Sequence, residues 1–323
     1  MRRRDLLALL ALGAAARWHP AGAQQGEGPL IGLLHLASGD PMEQFITAAL
    51  RPYMKEHGRE EGRNLRLLLL STEGDSDRLP AIARELVAGK ADLIIVFGDP
   101  AIRAAQQATS SIPIVGMTDD MLGSGLVASL ARPGGNATGV SILATELDVK
   151  RLELLHEAVP QAAPIGVLAD FSTISTRAPL EAAARRLGIE LVIRGGRDPE
   201  EAVRAADEMT KAGVRAVNVL ASPVLHTARA AIIERLNRAG LPAIYQWPEM
   251  VEEGGLLGYG PRIVACYGQV AVLAEKILKG AKPADLPVEQ PTKFELAINL
   301  MTAKAIGLTL PQSFLARADQ VIE

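Results

Sequence analysis

The stretch LIIVFGDPAIRAAQQA, residues 93–108, holds the repeating unit of this architecture. Leu93–Phe97 is an unbroken apolar run, as expected of a parallel strand covered on both faces. Gly98 and Asp99 follow, and a short carboxylate there suits the free amides of a first helical turn. Pro100 fits the first helical position, where no amide hydrogen is needed. Ala101–Ala108 then carries a helical pattern. The same junction recurs at Asp40-Pro41, where Glu43 completes a capping box, and at Ser222-Pro223. Strand, cap, proline and helix in succession belong to sheets built from βαβ units.

The alternation continues on both sides. Leu30–His35, Leu65–Leu70 and Ile112–Met117 read as further strands, with helices over Met42–His57 and Arg78–Ala88. Pro52 should kink the first of these helices. A second set follows, with strands at Ile165–Ala169, Glu190–Ile193, Ala216–Leu220, Ala243–Tyr245 and Leu256–Tyr259. Helices at Thr176–Leu187, Glu200–Ala212 and Leu225–Ala239 separate them. Between the sets lie Pro133-Gly134-Gly135-Asn136, a strand Thr138–Leu143 and a helix Leu147–Val159, the first passage from one set to the other. After Gly260-Pro261 comes a helix with Ile263, Tyr267, Val270, Ala274 and Ile277 on one stripe, then a return strand Phe294–Leu300. The expectation is an α/β protein of two Rossmann-like lobes with mostly parallel sheets. A hinge crossed more than once joins them, with Gly139, Ser141 and Gly260 in it, the glycines easing backbone rotation. One lobe should take 28–142 plus about 262–282, the other 143–261 plus about 291–300, with 301–323 assigned to neither.

The first twenty-three residues read as an export signal. Arg2, Arg3 and Arg4 form a basic start, Leu6 to Ala16 is an apolar stretch too short to span a bilayer, and Ala21-Gly22-Ala23 supplies small residues for cleavage. Arg3-Arg4-Asp5-Leu6-Leu7 also resembles a twin-arginine address. The expected mature chain begins near Gln24, lies free in a periplasm and carries a net charge of −6. A mildly acidic chain without a basic block is a poor nucleic-acid binder. The single cysteine, Cys266, sits in a helical apolar pattern and reads as a small buried hydrophobe.

Catalysis finds little support. His35, His57, His156 and His226 show no metal-ligand spacing. There is no nucleophile elbow and no phosphate-binding loop. Asp119-Asp120 reads as a solvated pair rather than an acid–base couple. Binding has better candidates, because in open α/β sheets ligands sit at the carboxyl ends of strands. Ser38, Asp99 and Thr118 fall there in the first lobe, and Phe171, Ser172, Ser222, Trp247 and Tyr259 in the second. Trp247 would be the sole mature tryptophan in a chain with 3% aromatics, and Phe171, Trp247 and Tyr259 could sandwich a flat group.

Several co-linear blocks carry a resemblance. They are the leader MRRRDLL, GLVASLARPGGNATGV (125–140), KRLELLH (150–156), LPAIY (241–245), KPADLPVEQPTKFEL (282–296) and LARADQVIE (315–323). Through them the whole chain resembles the periplasmic substrate-binding proteins of ABC transporters, in the group related to the tryptophan-binding type. Two loops depart from the family pattern. Gly98-Asp99-Pro100 stands where Gly-Thr-Pro is frequent, and Thr118-Asp119-Asp120-Met121 where Gly-Gly-Asp-Pro is. Asp99 thereby becomes a candidate partner for an ammonium group.

The resemblance implies a type I binding-protein fold, a small polar organic ligand and hinge closure around it, with an amino acid or related compound as first choice. It implies an inner-membrane permease as partner, and on the residues themselves we expect no cofactor and no metal. We expect a monomer. The rival readings are an exported enzyme using the same cleft, and a receptor that presents its ligand to a membrane sensor.

Overall fold

The computed structural model describes residues 28–35, 41–171 and 177–323. The leader, Ser38, Asp40 and Ser172 lie outside the described residues.

The first lobe opens with β1 (Leu30–His35), α1 (Pro41–Phe45) and α2 (Arg51–Glu56). A π-helical turn, Ile46–Leu50, joins the two helices. There the Arg51 amide donates to the Ile46 carbonyl, one residue further back than in an α-helix. This wide turn comes just ahead of Pro52, which has no amide to give, and it interrupts the helix expected over 42–57. Then come β2 (Arg66–Ser71), α3 (Leu79–Ala88), β3 (Leu93–Phe97), α4 (Asp99–Ala108), β4 (Ile114–Thr118) and β5 (Ala137–Ser141). The sheet runs β2-β1-β3-β4-β5 and every pairing is parallel. β3, β4 and β5 are buried throughout, which explains the unbroken apolar sequence of β3 and the small or apolar residues of β4 and β5.

The chain crosses after Ser141. Leu143, in the left-handed region at φ 59°, turns it into α5 (Ala144–Ala158), which packs on the second sheet. There follow β6 (Ile165–Asp170), α6 (Ala178–Leu187), β7 (Leu191–Gly196), α7 (Pro199–Lys211) and β8 (Ala216–Val219). The single helix expected over 225–239 is two, α8 (Pro223–Thr227) and α9 (Arg229–Arg238). Thr227 Oγ1 donates back to the Pro223 carbonyl at the break, a bond that competes with the helix ladder. β9 (Ala243–Tyr245), α10 (Pro248–Glu252) and β10 (Leu257–Gly260) complete the run.

A second crossing leads into α11 (Ile263–Leu278), which lies against α2, β3, β4 and β5 of the first lobe. A third returns the chain to β11 (Glu295–Asn299), α12 (Leu300–Ala305), α13 (Gln312–Leu315) and β12 (Gln320–Ile322). The second sheet has the order β12-β11-β10-β9-β8-β6-β7, parallel except where β11 runs against β10. The tail that the sequence left unassigned therefore closes the edge of the second sheet.

The first and third crossings lie side by side. Glu289 N–H donates to the Gly139 carbonyl at 2.8 Å, and Ser141 N–H donates to the Glu289 carbonyl at 2.9 Å. The hinge glycines turn out to have a packing duty. A Cβ on Gly139 would stand 1.8 Å from the Gly116 carbonyl oxygen, and one on Gly260 2.1 Å from that of Gln246. Both are places where neighbouring backbones meet too closely for any side chain. Beside the hinge, Phe45, Phe97 and Tyr267 form an aromatic cluster with centroids 5.3–5.8 Å apart, tying α1 and α11 to β3.

Candidate functional site

The carboxyl ends of β3 and β4 face those of β8 and β9 across a cleft. The two lobes touch there. A Cβ on Gly98 would lie 3.1 Å from Pro223 Cγ, and His226 Nε2 stands 3.3 Å from Gln44 Oε1 on the opposite lobe. Between these contacts is a narrow recess at the strand ends, where ligands sit in open α/β sheets. Phe97, Met117, Ile142 and Ile263 give it apolar walls, and Thr118, Asp119, Ser222, His226, Gln246 and Trp247 supply polar groups.

The first-lobe wall is internally bonded. The Asp99 carboxylate accepts from the hydroxyls of Thr118 and Ser124. It does not cap α4, as the sequence suggested. Gly98, at φ 85°, is the N-cap, and Asp99 is the first helical residue. Asp99 is thus held by two hydroxyls of its own lobe, although it lines the wider mouth of the cleft. Next to it, Asp119 and Asp120 part company. Asp120 accepts from the amides of Leu122 at 3.1 Å and Gly123 at 2.9 Å, closing a turn. Asp119 lines the recess, and burial raises its pKa well above the ordinary range. Asp148, Asp99 and Asp170 reinforce the rise, and Arg151 only partly opposes it. Asp119 is thus half-buried and crowded by acids of the second lobe, not a freely solvated partner of Asp120.

The second-lobe wall is less complete. Ser222 caps α8 as expected, its hydroxyl accepting from the Leu225 amide at 2.9 Å. Trp247 is 4% exposed and its indole N–H finds no acceptor. Gln246 Oε1 and His226 Nδ1 are also buried without a partner. Burial, and after it Arg229, lowers the His226 pKa to about 3, so the ring is neutral at neutral pH. Behind this wall Arg151, fully buried, donates to the Tyr259 carbonyl at 2.9 Å and to Asp148.

The eight candidate residues separate in space. Thr118, Ser222 and Trp247 share the recess, and Asp99 joins Thr118 and Ser222 at its mouth. Phe171 lines an adjoining recess with Asp119, Asp170, Arg177 and Arg197, and the Arg177 guanidinium lies 5.4 Å from its ring centroid. Tyr259 lines neither recess; its ring packs on the core and its carbonyl serves Arg151. The expected sandwich of Phe171, Trp247 and Tyr259 does not form. Ser38 and Ser172 lie outside the described residues. Sequence reasoning passed over Asp119, His226 and Gln246. Two had a usable signal, since Asp119 directly follows β4 and Gln246 directly follows β9. His226 lies one helical turn after its cap, a weaker sign.

Among the described residues no group of three His, Cys, Asp or Glu could hold a metal ion, and no helix is long and apolar enough to cross a membrane. Cys266 is buried, with its thiol pushed up to about 12 by that burial. It is unsuited to attack a substrate.

A family model described as ABC transporter substrate binding protein matches residues 31–322. A tyrosine-binding protein of Clostridioides difficile (strain R20291) is 29% identical over 263 residues, which is 79% of this chain and 74% of that protein. An ABC domain in complex with L-Trp from Streptococcus pneumoniae superimposes with a TM-score of 0.80 at 27% identity, covering 92% of this chain and 100% of the other. A conserved domain protein of Vibrio cholerae O1 biovar El Tor gives 0.82 at 26% identity, over 91% and 100%.

Proposed function

Because the chain belongs to the family of ABC transporter substrate-binding proteins, we propose that it captures an amino acid or a close relative of one between its lobes and delivers it to a membrane permease. The observation that carries this reading is the interlobe recess, where apolar walls meet three buried polar groups, on His226, Gln246 and Trp247, that the protein leaves unpaired. Buried polar groups without partners are rare and costly in a native fold, so such a cluster favours a ligand that completes it. A tyrosine-binding relative and a fold neighbour in complex with L-Trp favour an amino acid with a flat side chain.

The mechanism is a population shift. A ligand that touches both walls only when they are together favours the closed arrangement. Moving the lobes from mostly open to mostly closed requires about 5.5 kcal/mol of differential affinity. Burial of one aromatic ring supplies a few kcal/mol of this, and bonds to otherwise unpaired groups supply the rest. A permease then reads the closed face. We place this cycle in a periplasm, with residues 1–23 as the export signal.

Native mass spectrometry of the exported protein, followed by calorimetric titration with the twenty amino acids, tests the reading. We expect a bound small molecule and saturable binding of at least one aromatic amino acid. Absence of binding across the set, with nothing retained on purification, would defeat it.

A further inference from the structure

The recess between the lobes is lined by a carboxylate and no cation. Asp119 is the acidic residue on its wall, and no described residue donates a hydrogen bond to its carboxyl. Asp99, Asp148 and Asp170 stand close enough to act on it electrostatically. Arg151 is the basic residue of this cluster, and it is already engaged by Asp148 and the Tyr259 carbonyl. Arg177 and Arg197 belong to the adjoining recess, and His226 is neutral. A ligand carboxylate inside the closed recess would meet like charge, while a ligand cation would meet an unpaired acid.

A second, independent observation marks the same place as a ligand site. Gln246 (2% exposed), His226 (3%) and Trp247 (4%) line this recess, and each has a buried polar atom without a partner. A metal ion would need several oxygen ligands around it. An organic ammonium needs one carboxylate, a further acceptor such as Gln246 Oε1, and an apolar wall for the carbon attached to it.

Resting on the capture reading above, we propose that the anchoring group of the ligand is a protonated amine held by Asp119, with a flat apolar portion in the recess and no requirement for a carboxylate. Asp119 is then the specificity residue of the cleft. Because Asp119 and Ala221 line both recesses, a ligand that also bears a carboxylate has a route for it toward Arg177 and Arg197. The raised pKa of Asp119 fits this role, since the empty cleft holds its charge at a disadvantage that a bound cation relieves.

The test uses the mature protein and its Asp119→Asn variant, titrated calorimetrically with L-tryptophan, L-tyrosine, tryptamine, tyramine and indole-3-propionate. We expect the amines to bind within about tenfold of their parent amino acids, and the amine-free acid at least about 30-fold more weakly. Asp119→Asn should lose at least about 30-fold for amines and amino acids alike. It should melt no lower than the wild type, because no described residue bonds to the carboxyl that is replaced, so lost binding cannot be lost folding. If indole-3-propionate binds as well as tryptamine, or Asp119→Asn keeps its affinity for the amines, the proposal is overturned while ligand capture stands. If none of the five binds and native mass spectrometry finds nothing retained, both readings fall.

Discussion

On one side of the cleft Thr118 and Ser124 both donate to Asp99, and Asp120 accepts from amides of its own turn. On the other, Trp247, Gln246 and His226 end in buried atoms with no partner. Both walls come from strand ends of the same architecture, so the fold alone does not produce the difference. A wall whose polar groups satisfy each other costs nothing to leave empty, and it presents a fixed shape. A wall with unpaired groups stores an unmet demand that a ligand can answer, at roughly 1–3 kcal/mol for each group. On the proposed reading, the first lobe would serve as the platform and the second as the reader, with Asp119 as the first-lobe exception.

This contrast can be broken experimentally. The largest expected effect is on the support of the reading wall. Arg151→Met strands Asp148 in the interior without its cation, and we expect a loss of about 3–5 kcal/mol in denaturant unfolding. A loss below about 1 kcal/mol would mean that the second wall stands without this pair.

Next comes the wall itself. Trp247→Ala should weaken ligand binding by about 1–3 kcal/mol, and in the mature chain its fluorescence should change on titration. Unchanged emission together with unchanged affinity would make Trp247 a packing residue.

A third measurement uses acid. His226 titrates near 6.5 when unfolded and at about 3 in the fold, so between those values the unfolded chain binds more protons. Its contribution is intact above pH 6.5 and is lost as pH falls toward 3, by up to about 1.4 kcal/mol per pH unit. Asp119 and Asp148, with raised values, act in the opposite sense. The difference between wild type and His226→Gln isolates the histidine, and a difference that stays flat from pH 7 to 4 would contradict its burial in the neutral form.

The smallest effect belongs to the finished wall. Thr118→Val removes one donor from Asp99 and should cost about 1 kcal/mol of stability with ligand affinity nearly unchanged. An affinity loss equal to that of Trp247→Ala would erase the distinction between the walls.

Local patterning made most of the architecture legible. The apolar runs at 93–97 and 165–169 are strands β3 and β6 because a strand covered on both faces must be apolar throughout. Ser222 caps its helix because a hydroxyl two bonds from the backbone can reach an amide of the first turn. These are interactions within a few residues, and order along the chain is enough to anticipate them. The site was legible only as a set of strand ends. Thr118, Ser222 and Trp247 line one recess, yet Phe171 opens onto another and Tyr259 onto neither.

What remained hidden depends on residues far apart in sequence. Asp99 looks like a cap until Thr118 and Ser124 are folded against it. Gly139 and Gly260 look like pivots until Gly116 and Gln246 are found pressed against them. The edge taken by β12 depends on its pairing with β11 across the lobe. Asp119 looks like an ordinary surface acid until the opposite lobe brings Asp148 and Asp170 to it. Periodicity and capping act over a turn or two and are written in residue order. Burial, like-charge crowding and unmet hydrogen bonds are properties of a volume, and the volume exists only once both lobes have closed around it.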